Sequence, residues 1–558
     1  MPSYSDMPFV PIVTEPLQKI LLDAIWIHAA SDRNKIAFMN AEDNSVCMTY
    51  RDLYLHAQSV CAFLEKRHFR HGDIACVVLS NCWQYAAFFL GVSMNGGAIS
   101  GASYRFTDYE LEQQFHDSKC KVVLTAEESL NKVLKAARKC SLITTVIVIP
   151  KKAASREDPQ RLPWGVVEWS RVIADQPNMH KAELNQDVAR DIVILPYSSG
   201  TTGPPKGVML THRNFGTMLA VLNSHMDNIL MPKLDSNWCW SNETILLFLP
   251  FYHIYGFGLL CMVLLRGTTA IVFDHFDGDL FCRNIQEHKV RIIMLVPPTL
   301  VFLAKSPIVS KYDLSSVIFA LSGAAPAGKD LCDDVLLRHR NIKYILQGYG
   351  MTEMGMVSHL PDLNDGQKFG NCGRLAATYE QKIVDVKTGK ECPQGTSGEI
   401  WVRGPTIMLG YLNKPQSTAE AIDDEGWLHS GDIGYLDEKG YLFVVDRLKE
   451  LIKVRGFQVP PAELEDILIS HPQIRDAAVI GIPDKTAGEL PRAYIVRASN
   501  VLTEKEVFEF VKAKVSHYKQ LKGGVRFVNE IPKSASGKIL RRLLRDEAIT
   551  EHRRTFKL

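Results

Sequence analysis

Short apolar, β-branched runs alternate with stretches of helical periodicity along most of this chain. Ile74–Leu79 precedes the helical pattern Trp83–Met94, Lys121–Thr125 precedes Ser129–Cys140, and Thr145–Ile149 follows. Farther on, Ile192–Leu195, Thr244–Phe248, Thr269–Phe273, Ile292–Val296 and Val317–Ala320 each lead into a helical or turn segment. Strands that are apolar on both faces and separated by helices predict an α/β fold with mostly parallel sheets. After about Tyr379 the texture changes. Glu399–Val402, Gly440–Asp446 and Leu451–Val454 read as short strands with glycine turns, predicting a β-rich subdomain. From Pro461 the pattern becomes helix, strand, helix, ending in a basic helix predicted from Gly537 to about Arg554. A boundary near Asp446–Lys449 divides the chain into a large N-terminal domain, 1–446, and a small, mobile α+β lid, 447–558.

Composition narrows the function classes. At 558 residues the chain exceeds one ordinary hydrophobic core. A net charge of +2 gives no basic stripe, so nucleic acid is not expected as a partner. The 12 cysteines are scattered without close pairs, which predicts reduced, mostly buried thiols and neither a disulfide scaffold nor a zinc site. The first residues lack a basic segment followed by an apolar one, so no signal peptide is expected. The apolar stretch Ile245–Phe273 is broken by Pro250, His253, Arg266 and Gly267 and reads as core, so no transmembrane segment is expected. Lys151–Pro163, charged and proline-containing, reads as a surface loop.

The strongest chemical signal follows the strand Ile192–Leu195: Tyr197-Ser198-Ser199-Gly200-Thr201-Thr202-Gly203-Pro204-Pro205-Lys206-Gly207. Glycines let backbone N–H groups approach an anion, hydroxyls donate hydrogen bonds, and Lys206 adds a mobile positive charge. That is a phosphate cradle. It is not a Walker A loop, because Pro205 stands where that spacing needs glycine.

At this loop the chain resembles the adenylate-forming superfamily of acyl-CoA synthetases, 4-coumarate–CoA ligases, beetle luciferases and peptide-synthetase adenylation domains. Four more segments carry the resemblance in the family's order. They are Gln347-Gly348-Tyr349-Gly350-Met351-Thr352-Glu353 for the nucleotide, Gly426-Trp427-Leu428-His429-Ser430-Gly431-Asp432 for the ribose, Asp446-Arg447-Leu448-Lys449-Glu450-Leu451-Ile452-Lys453 for the hinge, and Pro532-Lys533-Ser534-Ala535-Ser536-Gly537-Lys538 for the catalytic lysine.

Residue chemistry fits those assignments. Tyr349 offers a face to adenine between two glycines, Thr352 can hold an α-phosphate oxygen, and Glu353 is a hard oxygen ligand suited to Mg²⁺. Asp432 can accept both ribose hydroxyls. Ser322-Gly323-Ala324-Ala325-Pro326 resembles the family's small-residue loop, with Ala324 and Ala325 between adenine and the acyl pocket. The resemblance further implies that Arg447 contacts ribose, that Lys449 is the pivot of the lid, and that Lys453, Arg455 and Gly456 border coenzyme A. It makes Lys538 the cation bridging substrate carboxylate and α-phosphate, and His253 the residue that lines the acyl site, with Tyr255, Leu259, Met354 and Met356 completing an apolar pocket.

The implied activity is ATP-dependent ligation of a carboxylic acid, fatty or aryl-alkenoic, to coenzyme A through an acyl-adenylate. ATP, Mg²⁺ and coenzyme A would serve it, with Lys538, Thr352, His253 and Lys206 carrying the chemistry. A luciferase-like monooxygenase is the first alternative, opposed by Met356 and Leu259 where beetle luciferases carry a serine and a threonine. A peptide-synthetase module and a non-catalytic nucleotide-binding scaffold are the others. The tail Phe556-Lys557-Leu558 resembles the Ser-Lys-Leu peroxisomal address, with a bulky residue in the small-residue position. It predicts import by the peroxisomal receptor, the alternative being a cytoplasmic protein.

Overall fold

The computed structural model describes residues 3–555, except 152–161, 164, 178–183, 199–204, 365, 367–368, 456, 485, 500 and 535–536. Ser199, Gly200, Thr201, Thr202 and Gly203 of the phosphate loop, Gly456, most of the Lys151–Pro163 segment and the Phe556–Leu558 tail therefore lie outside the described residues.

The large domain is α/β, as the alternating pattern predicts. Among the described residues its widest sheet has 9 strands, with Ile74–Val78, Ala98–Ala102, Val122–Ala126, Thr145–Ile149 and Val166–Glu168 all in parallel pairing. Ile192–Ile194 joins Ala98–Ala102 in parallel, then pairs antiparallel with Lys206–Thr211. A second sheet aligns Thr244–Leu247, Thr269–Val272 and Ile36–Asn40 in parallel. A third aligns Ile292–Leu295, Phe319–Ser322 and Tyr344–Gln347. These strands are fully covered by helices such as Trp83–Met94 and Ile254–Arg266, which are themselves apolar on nearly all sides.

The β-rich part is an antiparallel sheet of Glu380–Val384, Gly398–Arg403, Leu428–Leu436 and Leu442–Arg447, edged by Ser3–Tyr4. The strand predicted at Leu451–Val454 belongs elsewhere. Ile452–Val454 pairs with Phe457–Val459 and Gly488–Arg497 inside the lid sheet, because its apolar side chains pack with the separate core around Val479, Ile495 and Val507. The basic helix also starts later than predicted, spanning Arg541–Thr555. Gly537 takes φ of 80°, and an antiparallel bridge pairs Lys533 with Ile539 as a small hairpin ahead of the helix.

All 12 cysteines are free and most are buried. No helix among the described residues is long and apolar enough to cross a membrane.

Candidate active site

The site segments hang from the carboxyl ends of parallel strands, where loops of an open α/β sheet converge on a cleft. Thr244–Leu247 leads to His253, Phe319–Ser322 to Gly323–Ala325, and Tyr344–Gln347 to Tyr349–Glu353. The small residues answer to close approach. A Cβ on Gly323 would stand 3.1 Å from the Tyr255 ring, and one on Gly350 would lie 2.0 Å from the Met356 carbonyl oxygen. Ala324 holds φ of 70°, and its loop is clamped by Gln347, whose side-chain amide accepts from Ala327 N–H at 2.8 Å and donates to Ala327 C=O at 3.0 Å. Gln347 thus acts on the nucleotide site by holding the loop.

The ribose segment and the nucleotide segment meet directly. Tyr349 donates its hydroxyl to Asp432 Oδ2 at 2.8 Å, and Arg447 Nε stands 3.3 Å from Asp432 Oδ1. Cross-strand pairing of Asp432 with Arg447 sets this ion pair, since opposed residues on one face lie close together. Leu448 N–H donates to Gly431 C=O at 2.9 Å, tying the ribose turn to the turn that contains exposed Lys449. Behind Tyr349 sits buried His359, with Nε2 2.7 Å from Gln381 Oε1.

The phosphate hairpin brings in a residue the sequence reading missed. Tyr197–Ser198 pairs with Lys206–Thr211, and the short strand Gly410–Tyr411 pairs with the latter. Buried Glu353 accepts from Ser198 Oγ at 3.0 Å and from Tyr411 Oη at 2.9 Å, both on Oε1. Lys206 Nζ rests 4.8 Å above the centre of the Tyr411 ring, a cation–π contact. Tyr411 therefore holds both the carboxylate and the mobile cation of the cradle. Nothing in its local sequence flags it.

Lys538 is inserted into the same cleft. Burial first, and then the Arg447 charge, push its ammonium down to about 8, while Asp432, Glu353 and Glu450 pull the other way. Its hairpin is closed by Lys538 N–H donating to Ser534 Oγ at 3.1 Å and Ser534 N–H donating to Lys538 C=O at 2.8 Å. His253 caps the helix Ile254–Arg266, accepting from Tyr255 N–H at 3.3 Å. Burial, then the Lys538 charge, push it down to about 4, so the ring is neutral at physiological pH.

The apolar wall holds Tyr255 against Gly323 and Met356 against Gly258, where a Cβ would lie 2.2 Å from the Met356 sulfur. Leu259 and Met354 are buried in the same region. A small cleft beside His253 runs between Tyr85, Ile99, Gly101, Pro196 and Tyr252. Of the predicted acyl-pocket residues it includes His253 alone. Lys453 and Arg455 stand exposed on the lid, Arg455 with φ of 49°.

Among the described residues no cluster of three or more His, Cys, Asp or Glu could hold a metal by itself. Glu353 is the carboxylate that could hold Mg²⁺, since a single protein carboxylate suits an ion that takes its other ligands from phosphates and water.

The model for AMP-binding enzymes matches residues 25–412, and that for the C-terminal domain of AMP-binding enzymes matches 463–538. A 4-coumarate–CoA ligase of Nicotiana tabacum is 42% identical over 511 residues, covering 90% of each chain. One from Petunia hybrida is 41% identical over 515 residues, covering 91% of this chain and 90% of that protein. Among solved structures, an anthranilate CoA ligase in complex with anthranoyl-AMP superposes with a TM-score of 0.84 at 25% identity, covering 98% of this chain and 99% of that one. ATP-bound MatB from Rhodopseudomonas palustris superposes with a TM-score of 0.81 at 24% identity, covering 96% and 99%, a likeness of fold.

Proposed function

Because this chain belongs to the family of AMP-binding enzymes, we propose that it is an AMP-forming acid–CoA ligase whose acid is aryl-alkenoic, of the 4-coumarate kind. The observation that carries the chemistry is the insertion of Lys538 among Asp432, Arg447 and Glu353. The likeness to 4-coumarate–CoA ligases over nine-tenths of the chain supports the acid class. Tyr255 packed on Gly323 and Met356 packed on Gly258 make apolar surroundings that suit an aromatic acid.

In the first half-reaction a carboxylate oxygen of the acid attacks the α-phosphorus of ATP, and pyrophosphate leaves with the electrons of the broken P–O bond. Lys538 bridges the attacking carboxylate and the α-phosphate, and Thr352 holds an α-phosphate oxygen. Lys206 leaves the Tyr411 ring for the outer phosphates. Tyr349 and Asp432 hold adenine and ribose, so the protein's part is positioning and neutralising charge. Mg²⁺ held through Glu353 would neutralise phosphate charge. In the second, rotation of the lid about Lys449 withdraws Lys538 and brings Lys453 and Arg455 toward the cleft. The coenzyme A thiol, as thiolate, attacks the acyl carbonyl, and AMP leaves with the bonding pair.

Incubation with ATP, Mg²⁺, coenzyme A and 4-coumarate should yield AMP, pyrophosphate and the thioester in equal amounts, with long-chain fatty acids slower. Formation of ADP in place of AMP, or turnover of fatty acids alone, would refute the reading. The Phe556-Lys557-Leu558 tail supports peroxisomal import as part of the same proposal. A fluorescent reporter carrying the last dozen residues should be punctate and become diffuse when Leu558 is deleted. Diffuse signal from the intact tail would rule the address out.

A further inference from the structure

One of the elements through which the large domain meets the lid is the helix Pro297–Lys305. Its first turn, started by two prolines at the carboxyl end of Ile292–Leu295, seats the catalytic-lysine hairpin: a Cβ on Gly537 would lie 3.0 Å from Pro298 Cγ. Its last residue reaches across to the lid. Lys305 Nζ donates to Ile469 C=O at 2.6 Å and to Ile474 C=O at 3.0 Å.

Ile469 ends the lid helix Pro461–Ile469, where carbonyls lack partners inside the helix and the dipole favours a cation. The other end of that helix is held by Asp446, which accepts from Ala462 N–H at 2.9 Å. The backbone beneath Lys305 is fixed in turn by Arg338, donating to the carbonyls of Leu303 at 3.0 Å, Ala304 at 2.9 Å and Ser306 at 2.7 Å. Neither Lys305 nor this contact takes part in the half-reactions described above.

Resting on the ligase reading, we propose that Lys305 is a positioning residue that latches the lid in the pose used for adenylation. Both accepting carbonyls belong to the lid, while the donor is anchored in the large domain. A rotation that withdraws Lys538 from the cleft carries Ile469 and Ile474 away from Lys305. The contact therefore adds to the stability of the adenylation pose and not to that of the thioester-forming pose. Asp334, on the large domain's own helix Lys329–Arg338, offers its charge to Lys305 in either pose.

Lys305→Met keeps the aliphatic stem and removes the donors. It should slow acid-dependent ATP–pyrophosphate exchange about tenfold, equivalent to ~1.4 kcal/mol, and leave thioester formation from isolated acyl-adenylate unchanged or faster. Lys305→Arg should restore exchange, and thermal melting should show all three proteins folded. Hydrogen exchange over residues 461–475 of the ligand-free protein should be faster in Lys305→Met than in wild type or Lys305→Arg. Equal losses in both half-reactions, or none, would overturn the latch, as would unchanged hydrogen exchange. If wild type forms no adenylate with any acid, the ligase reading fails, and the hydrogen-exchange comparison still decides whether the latch exists.

Discussion

Replacing Lys538 should cripple adenylation selectively, and the structure sets the scale. In the ligand-free cleft its ammonium falls from 10.5 to about 8, roughly 3 kcal/mol against the charged form at about 1.4 kcal/mol per unit. The leading cause is burial, followed by Arg447. The cation is still the major form below about pH 8, and an incoming carboxylate and triphosphate add anions beside it that favour the charged lysine further. Lys538→Ala should lower the single-turnover adenylation rate by about 10²–10³, the loss typical of one well-placed donor to developing charge. Thioester formation from isolated acyl-adenylate should stay within about threefold of wild type, since in that step Lys538 is withdrawn. The pH profile provides an independent check. The working form is the cation, present below the pKa, so kcat/KM for adenylation should fall as pH rises through about 8. No thiol takes part in pyrophosphate exchange, so coenzyme A cannot produce that limb. In Lys538→Arg the guanidinium stays charged and the limb should disappear. Equal damage to both half-reactions in a folded Lys538→Ala protein, or an unchanged limb in Lys538→Arg, would refute the assignment.

Three further outcomes are expected. Lys449→Pro should spare pyrophosphate exchange and impair thioester formation, because proline fixes φ at the turn about which the lid must pivot; single-turnover assays with both steps intact would remove Lys449 from that role. Tyr411→Phe should raise KM for MgATP about fivefold, near the ~1 kcal/mol of one hydrogen bond, through the loss of its 2.9 Å bond to Glu353; initial rates against MgATP at saturating acid will test it. His212, His253 and His359 are each pushed down to about 4, burial being the main cause. Each is neutral when folded and protonates more readily when unfolded, so the stability they lend is present above pH 6.5 and lost as pH falls toward 4. Urea midpoints should decline across that window, and less steeply in His212→Gln.

Much of the nucleotide site can be read along the chain because its parts are contiguous in sequence. The strand before the phosphate hairpin, the nucleotide turn and the ribose turn each combine an apolar run with glycines and one or two polar residues, and each lies at or beside the end of a strand. Local periodicity identifies such strands, and Thr145–Ile149 and Trp83–Met94 coincide with their predicted limits. Periodicity states which face of an element is buried, and leaves its partner open. Ile452–Val454 looks like its neighbours in the β-rich part, yet its side chains join the lid core. Gly537–Leu540 reads as the start of a helix until the pairing of Lys533 with Ile539 makes it a hairpin. Tyr411 is the sharpest case, since its two-residue strand carries no chemical signature. Only the register of Val208 with Tyr411 places its hydroxyl on Glu353 and its ring under Lys206. The same holds for Lys305, an ordinary helix-terminal lysine in sequence, whose significance comes from the lid carbonyls that stand opposite it. Residues that meet the substrate carry their chemistry in their own segments. A residue such as Lys305, proposed to set the pose of the lid, takes its meaning from contacts more than a hundred positions away, and those exist only once the two domains are packed together.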